Sequence, residues 1–277
     1  MSNKRDSLGD RMKTYENVTR NYLTRRTPVI VRVDGCHFHS FTKKFDKPYD
    51  LILNKTMTDT MKYLCENIQN CVFGYTQSDE ITLVLCDYKT LNTTAWFNNN
   101  IQKIASVSAS LATCAFNQKF TANIYSYGRE SFPDWDEGGT NRTFSEEEKR
   151  RATLVEAYSK ASIKGATFDS RVFNIPPEEV CNCLIWRQQD AIRNSVQGLG
   201  QLFFSQRQLE GKNCEDIKRM IATQKGILWH NIPLKFQRGS CCLMDRGKGW
   251  IVDDRIPLFK EDRNYINKWL TFEDSES

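Results

Sequence analysis

Apolar positions spaced among charges over residues 7–23, opening near a serine, predict a surface helix. Pro28-Val-Ile-Val-Arg-Val-Asp34 follows as a β-branched run ending on an acid, the pattern of a buried strand. Lys47-Pro-Tyr-Asp50 opens a long helix in which Leu53, Met57, Met61, Leu64 and Ile68 recur at helical spacing on one face, a stripe that predicts core rather than a site. Two short strands, 71–76 and 80–86, lie so close that only a hairpin can join them. A second long helix is predicted over about 94–118, where Ala105, Ser108, Ala112 and Ala115 are small enough to pack closely on a sheet. Strand patterns return at 123–127 and 168–175.

Strand, helix, hairpin, helix, strand is the split βαβ order of ferredoxin-like folds, so the class is α+β, with an antiparallel sheet and helices on one face. Between 132 and 164, Asp136-Glu-Gly-Gly-Thr-Asn-Arg142 reads as a loop and Ser145-Glu-Glu-Glu-Lys-Arg-Arg151 as the start of a solvated helix, together an insertion. After Pro176-Pro177 a helix carries Ile185, Ile192, Val196, Leu199 and Phe203. A shorter helix at 214–223 and strands at 240–244 and 250–254 follow. No internal repeat is visible. The expectation is one catalytic domain over 1–277, with a core at about 28–130 and 166–176, an insertion at about 132–164 and a C-terminal elaboration of helices and strands at about 176–277.

The composition is that of a globular chain: 277 residues, 39% hydrophobic, 12% aromatic and 26% charged, which excludes disordered, collagen-like and coiled-coil classes. No run approaches the roughly 18 apolar residues of a membrane span, and the first residues lack the apolar stretch of a signal peptide. A cytoplasmic protein with no membrane partner is expected. The ten cysteines are scattered without a Cys-x-x-Cys pair and read as reduced core or strand residues; with three histidines, a structural zinc site has few candidate ligands. The net charge of +5 permits a nucleic-acid partner without demanding one.

Candidate chemistry begins at Arg32-Val-Asp-Gly-Cys-His-Phe-His39, where a strand delivers Asp34 to the sheet rim and Gly35 allows a tight turn. Gly74-Tyr-Thr-Gln-Ser-Asp-Glu80 places two further acids at a hairpin turn that the split βαβ topology sets beside the end of the first strand. Asp34 and Asp79 could then share two Mg²⁺ ions, roughly 3.5 to 4 Å apart, that activate an attacking oxygen and stabilise a leaving one, as in a polymerase palm. Strand alternation turns Glu80 away from Asp79 unless the turn is irregular. The bland alternative is two solvated turns. Lys43, Lys44 and Lys47, with Ser78, are the phosphate donors in reach, and Lys47, set before Pro48, is the best placed; Lys43 and Lys44 read equally as solvent-facing. His37 and His39 could be ligands or packed rings. No Walker glycine loop is present, and Gly198-Leu-Gly200 lacks the third glycine of a dinucleotide fingerprint. Arg171 in Phe168-Asp-Ser-Arg, and Arg187, Arg193 and Asn194 in Trp186-Arg-Gln-Gln-Asp190-Ala-Ile-Arg-Asn194, could meet phosphates or an RNA end, or could pair with Asp169 and Asp190.

Five stretches in order, Arg32-Val-Asp-Gly-x-x-Phe-His39, Phe45-Asp-Lys-Pro-Tyr-Asp50, Gly74-Tyr-Thr-Gln-Ser-Asp-Glu80, Phe168-Asp-x-Arg171 and Trp186-Arg-Gln-x-Asp190, resemble the tRNA(His) guanylyltransferases, in particular their bacterial and archaeal relatives. The resemblance implies a polymerase-like palm that adds nucleotides to a tRNA 5′ end in the 3′-to-5′ direction. ATP or GTP first activates the 5′-monophosphate, or a 5′-triphosphate serves directly. It implies Asp34, Asp79 and Glu80 as catalytic acids, with Asp34, Asp79 and the Gly35 carbonyl holding two Mg²⁺ ions. It implies a nucleotide-binding segment of Asp34, Gly35, Cys36, His37, Phe38 and His39 with Lys47, Ser78 and Asp79. Arg32, Lys103 and Arg171 would hold a second triphosphate or the activated end, and family members are usually homotetramers. Ile192-Arg-Asn-Ser195 stands where the eukaryotic enzymes carry His-Ile-Asn-Asn, so templated repair of several tRNAs is expected rather than strict tRNA(His) specificity. A palm-fold nucleotide cyclase and a non-catalytic RNA-binding protein are the alternatives. Nucleotide products formed without tRNA would mark the first, and full function without the acids the second.

Overall fold

The computed structural model of the chain describes residues 7–132 and 145–271. In chain order the elements are α1 (Ser7–Asn17), β1 (Val29–Cys36), α2 (Phe38–Phe41), α3 (Leu51–Asn67), β2 (Cys71–Gln77), β3 (Glu80–Leu85), α4 (Ile101–Ser131), α5 (Glu146–Lys164), β4 (Thr167–Asn174), α6 (Pro177–Phe203), α7 (Gln206–Leu209), α8 (Cys214–Lys225), α9 (Leu234–Arg238), β5 (Ser240–Asp245), β6 (Gly249–Asp253) and α10 (Asn264–Asn267). The six strands form one antiparallel sheet in the order β4-β1-β3-β2-β5-β6. Its first four strands, with α3 and α4 as crossovers, are the ferredoxin-like core expected from the sequence, and the β5–β6 hairpin extends the β2 edge.

Strand alternation sorts β1 and β3 between two cores. Val29, Val31, Val33, Ile81, Leu83 and Leu85 pack beneath α3 and α4, whereas Ile30 and Val84 pack beneath α6 with Val180 and Leu184. Both faces are covered, which is why apolar residues stand at consecutive positions 29–31 of β1 before Arg32. The one-sided helical layer holds for α3 and α4; α6, from the C-terminal elaboration, closes the second face. Asp50 caps α3 by accepting from the Leu53 N–H at 2.8 Å.

The surface helix expected over 7–23 ends at Asn17, and both ends of the second long helix differ from the sequence expectation. The helix placed at 94–118 starts at Ile101, capped by Asn100 after a 3₁₀ turn at Trp96–Asn99, and continues to Ser131. The strand expected at 123–127 is therefore helix. Ala112, Phe116, Phe120 and Ile124 bury one stripe at helical spacing, and Asn123 donates to Thr56 Oγ1 and Asp59 Oδ2 on α3, both at 3.1 Å. Five residues of apparent alternation were part of a longer helical period.

The loop expected at 136–142 lies outside the described residues. Helix α5 opens with a Ser145–Glu148 capping box and is solvated along most of its length, but buries Tyr158 and Ala161. The ten cysteines are free thiols. Among the described residues no helix is long and apolar enough to cross a membrane.

Candidate active site

The acids meet at one end of the sheet. Asp34, near the end of β1, lies directly opposite Glu80 on β3 and Asp169 on β4. The Gly35 N–H donates to the Asp79 carbonyl at 3.1 Å, closing the β2–β3 turn onto the end of β1. Ser78 enters that turn with φ 51°. Burial pushes the Asp79 carboxyl above its ordinary range; a hydrogen bond with Ser78 opposes this, and the Asp34 charge adds to it.

Glycine at position 35 is imposed by packing. A Cβ there would lie 2.3 Å from the Phe38 ring, which is buried among Phe41, Phe116 and Phe168. Gly35→Ala is therefore expected to push the β1 end off the hairpin turn, at a stability cost of about 1–3 kcal/mol. A thermal melt checks the stability cost.

Glu80 turns from Asp79 toward α6, as alternation requires, and shares the sheet face of Asp34. Its Oε1 accepts from Arg187 Nε at 2.7 Å, while Arg187 Nη2 donates to Asp190 Oδ2 at 3.0 Å and Arg32 Nε stands 3.9 Å from Glu80 Oε2. Burial alone would lower the Arg187 pKa; the Glu80 and Asp190 carboxylates outweigh it and hold the guanidinium above its ordinary value. Arg187 is thus a buried partner of Glu80 rather than the exposed RNA contact considered from its motif, because its turn of α6 packs on the sheet. Arg193 and Asn194 lie on the exposed side of α6 and hydrogen-bond Asp190.

Other expected residues fall in different places. Arg171 is exposed on β4 opposite Arg32, so these two share the α6 face with Asp34. Lys103 is not brought to them. It sits in the first turn of α4, on the other layer, near Phe97. His37 occupies a left-handed turn at φ 57°, His39 is exposed on α2, and the Cys36 thiol donates to Asp169 Oδ2 at 3.7 Å. Phe38 is core, so this segment offers a nucleotide its backbone rather than that ring. Lys47 is exposed in a loop where Asp50 Oδ2 accepts from the Asp46 N–H at 2.9 Å and from the Tyr158 hydroxyl at 2.6 Å.

Beside Ser78 a cavity of about 170 Å³ is lined by Tyr49, Asn194, Ser195, Lys235 and Phe236 among others. Tyr49 stacks on Phe236 with ring centroids 5.0 Å apart, its hydroxyl donates to the Ser195 carbonyl at 3.0 Å, and Trp229 Nε1 donates to Ser195 Oγ at 3.1 Å. Sequence reading missed this wall: Tyr49, Asn194 and Ser195 stand in recognisable motifs, but Trp229, Lys235 and Phe236, which complete it, stand in none and lie far along the chain. Ser195, in the run where the eukaryotic enzymes differ, is buried holding that wall together.

Among the described residues no three His, Cys, Asp or Glu side chains converge as a metal-binding group. The oxygen donors expected from the sequence are the Asp34 and Asp79 carboxylates and the Gly35 carbonyl, with Asp169 and Glu80 opposite Asp34 on the neighbouring strands. That hard, acidic set suits Mg²⁺, which is usually held by one or two carboxylates with substrate phosphates completing its shell.

The geometry has close counterparts. A solved bacterial tRNA(His) guanylyltransferase-like protein in complex with ATP matches with a TM-score of 0.77 and 39% identity, covering 95% of this chain and 99% of that one. A structure of such a bacterial protein in complex with GTP matches at 0.69 and 36%, with the same coverage. An uncharacterized protein of Acanthamoeba polyphaga mimivirus is 29% identical over 96% of this chain and 89% of its own length. The tRNA(His) guanylyltransferase 2 of Arabidopsis thaliana is 24% identical over 83% of this chain, which spans only 38% of that enzyme. A family profile described as tRNAHis guanylyltransferase matches residues 9–176, which include the β1 end, the acidic turn and β4. The chain belongs to the tRNAHis guanylyltransferase family, a family of nucleotidyltransferases.

Proposed function

We propose that this protein adds nucleotides to the 5′ end of tRNA in the 3′-to-5′ direction, dependent on Mg²⁺ and templated by the opposing base, and that it repairs several truncated tRNAs rather than serving tRNA(His) alone. The observation that supports the reading is the closure of the Ser78–Asp79 turn onto Gly35, which sets the Asp79 backbone beside the residue that follows Asp34 at one rim of a palm-like sheet. The ATP and GTP complexes of the two similar bacterial proteins support nucleoside triphosphates as substrates.

In activation, a 5′-monophosphate oxygen of the RNA attacks the α-phosphorus of ATP, forming the anhydride and releasing pyrophosphate. The 3′-hydroxyl of the incoming nucleotide then attacks the RNA 5′-phosphorus, its proton passes to solvent, and AMP leaves. Asp34, Asp79 and the Gly35 carbonyl would hold Mg²⁺, which when bound supplies charge for the attacking and leaving oxygens. The backbone of residues 35–39 and Ser78 bind the triphosphate, and Lys47 contributes a cation to it. Arg32 and Arg171, neighbours on the α6 face, receive the phosphate of the activated end. A cytoplasmic location and assembly as a homotetramer belong to the same proposal, and sedimentation velocity tests the latter.

The deciding experiment incubates the protein with 5′-truncated tRNA transcripts, Mg²⁺ and each nucleotide in turn. Growth of the 5′ end that follows the opposing base is expected; no growth on any transcript, or growth indifferent to that base, refutes the reading. Lys47→Ala is expected to raise the KM for the incoming triphosphate about 10-fold with the Mg²⁺ requirement unchanged, and an unchanged KM would remove Lys47 from the site.

A further inference from the structure

Trp186 is the unexplained residue of the α6 face. Its indole is 51% exposed, although its chain neighbour Arg187 is buried on the sheet. The Arg187 and Arg32 guanidinium carbons stand 4.5 and 5.6 Å from the ring centroid. Arg32 Nε is buried and donates no hydrogen bond. Across the ladder Arg32 faces Arg171, and Asp34 lies two residues further along the same strand face.

A half-exposed indole beside two guanidiniums, on the sheet face that carries Asp34, is a surface on which bases stack, because a base offers its π-face to an aromatic ring while its phosphate meets the cations. We propose that Trp186 is a stacking platform for a nucleobase, the one attached to the phosphate that Arg32 and Arg171 receive. This rests on the proposed function and adds to it a specific contact for the base at the reacting end. The chemistry is shared by two sources, the 5′-terminal base of the RNA and the base of the activating nucleotide. The platform orients the end without taking part in bond making, so its loss weakens binding more than turnover.

The test measures KM and kcat for RNA with wild-type protein, Trp186→Ala, Trp186→Phe and Trp186→Leu, using transcripts carrying a 5′-monophosphate with ATP, or a 5′-triphosphate without it. The alanine and leucine variants are expected to raise KM about 10-fold with kcat within about twofold of wild type, and phenylalanine to restore most of the loss. A rise in the RNA KM on both transcripts assigns the base to the RNA; a rise in the KM for ATP, measured alongside on the monophosphate transcript, with the triphosphate arm unchanged, assigns it to the activating nucleotide. Leucine keeps a cover over Arg187 but cannot stack, so a leucine variant as good as phenylalanine overturns the proposal, as does an unchanged alanine variant or a loss confined to kcat. Should the alanine variant fail to fold, the phenylalanine–leucine comparison decides. Wild-type protein that extends no RNA would instead refute the function itself.

Discussion

Asp34→Ala and Asp79→Ala are each expected to reduce nucleotide addition by ~10³-fold or more while leaving Tm within about 2 °C of wild type. Rim carboxylates add little to the core, so the loss falls on binding and charge stabilisation at the reacting phosphate. For Asp79 the stability change even has a favourable sign. Its carboxyl is raised in the fold by burial first and by Asp34 second, so the folded state holds its proton more tightly than the unfolded chain. That penalty is absent below the ordinary carboxyl range and fully present above the raised value. Asp79→Asn is therefore expected to be inactive and no less stable than wild type. Parallel extension assays and thermal melts check both statements, and a variant that keeps near-wild-type addition in Mg²⁺ ends the two-acid site.

Arg187→Ala carries the largest expected stability cost. It leaves Glu80 buried, with Arg32 Nε at 3.9 Å as a distant counter-charge. Breaking a buried pair by removing one partner costs about 3–5 kcal/mol, which lowers Tm by roughly 10 °C in a chain of this size. The double variant Glu80→Leu with Arg187→Met removes both charges and is expected to recover most of that Tm, because desolvation then has no ion to act on. Nucleotide addition should remain low in it, since the carboxylate opposite Asp34 is gone. A double variant as unstable as the single one would show that packing at Arg187, not its charge, holds α6 to the sheet.

These two expectations rest on parts of the molecule that were unequally legible. Asp34 and Asp79 could be brought together from sequence because each step was local: a β-branched run ends at Asp34, and two strands separated only by Gln77, Ser78 and Asp79 must form a hairpin. The Arg187–Glu80 pair spans 107 residues. An arginine in an amphipathic helix faces solvent or sheet according to how the helix docks, which its own motif does not encode. The strand expected at 123–127 failed for a related reason, since a five-residue window cannot distinguish alternation from part of a helical stripe that runs to Ile124.

By itself, then, the chain's pattern determined the βαββαβ order, the two acids at its rim and the family they resemble, because turns and periods of 2 and 3.6 residues are written in neighbouring positions. Only the tertiary structure decided that α6 covers the second face, that Glu80 is spent on Arg187, that Lys103 lies on the far layer and that Trp186 stands open beside Arg32. Those outcomes depend on which surfaces dock, and docking is settled by the summed burial of two faces that are distant in sequence.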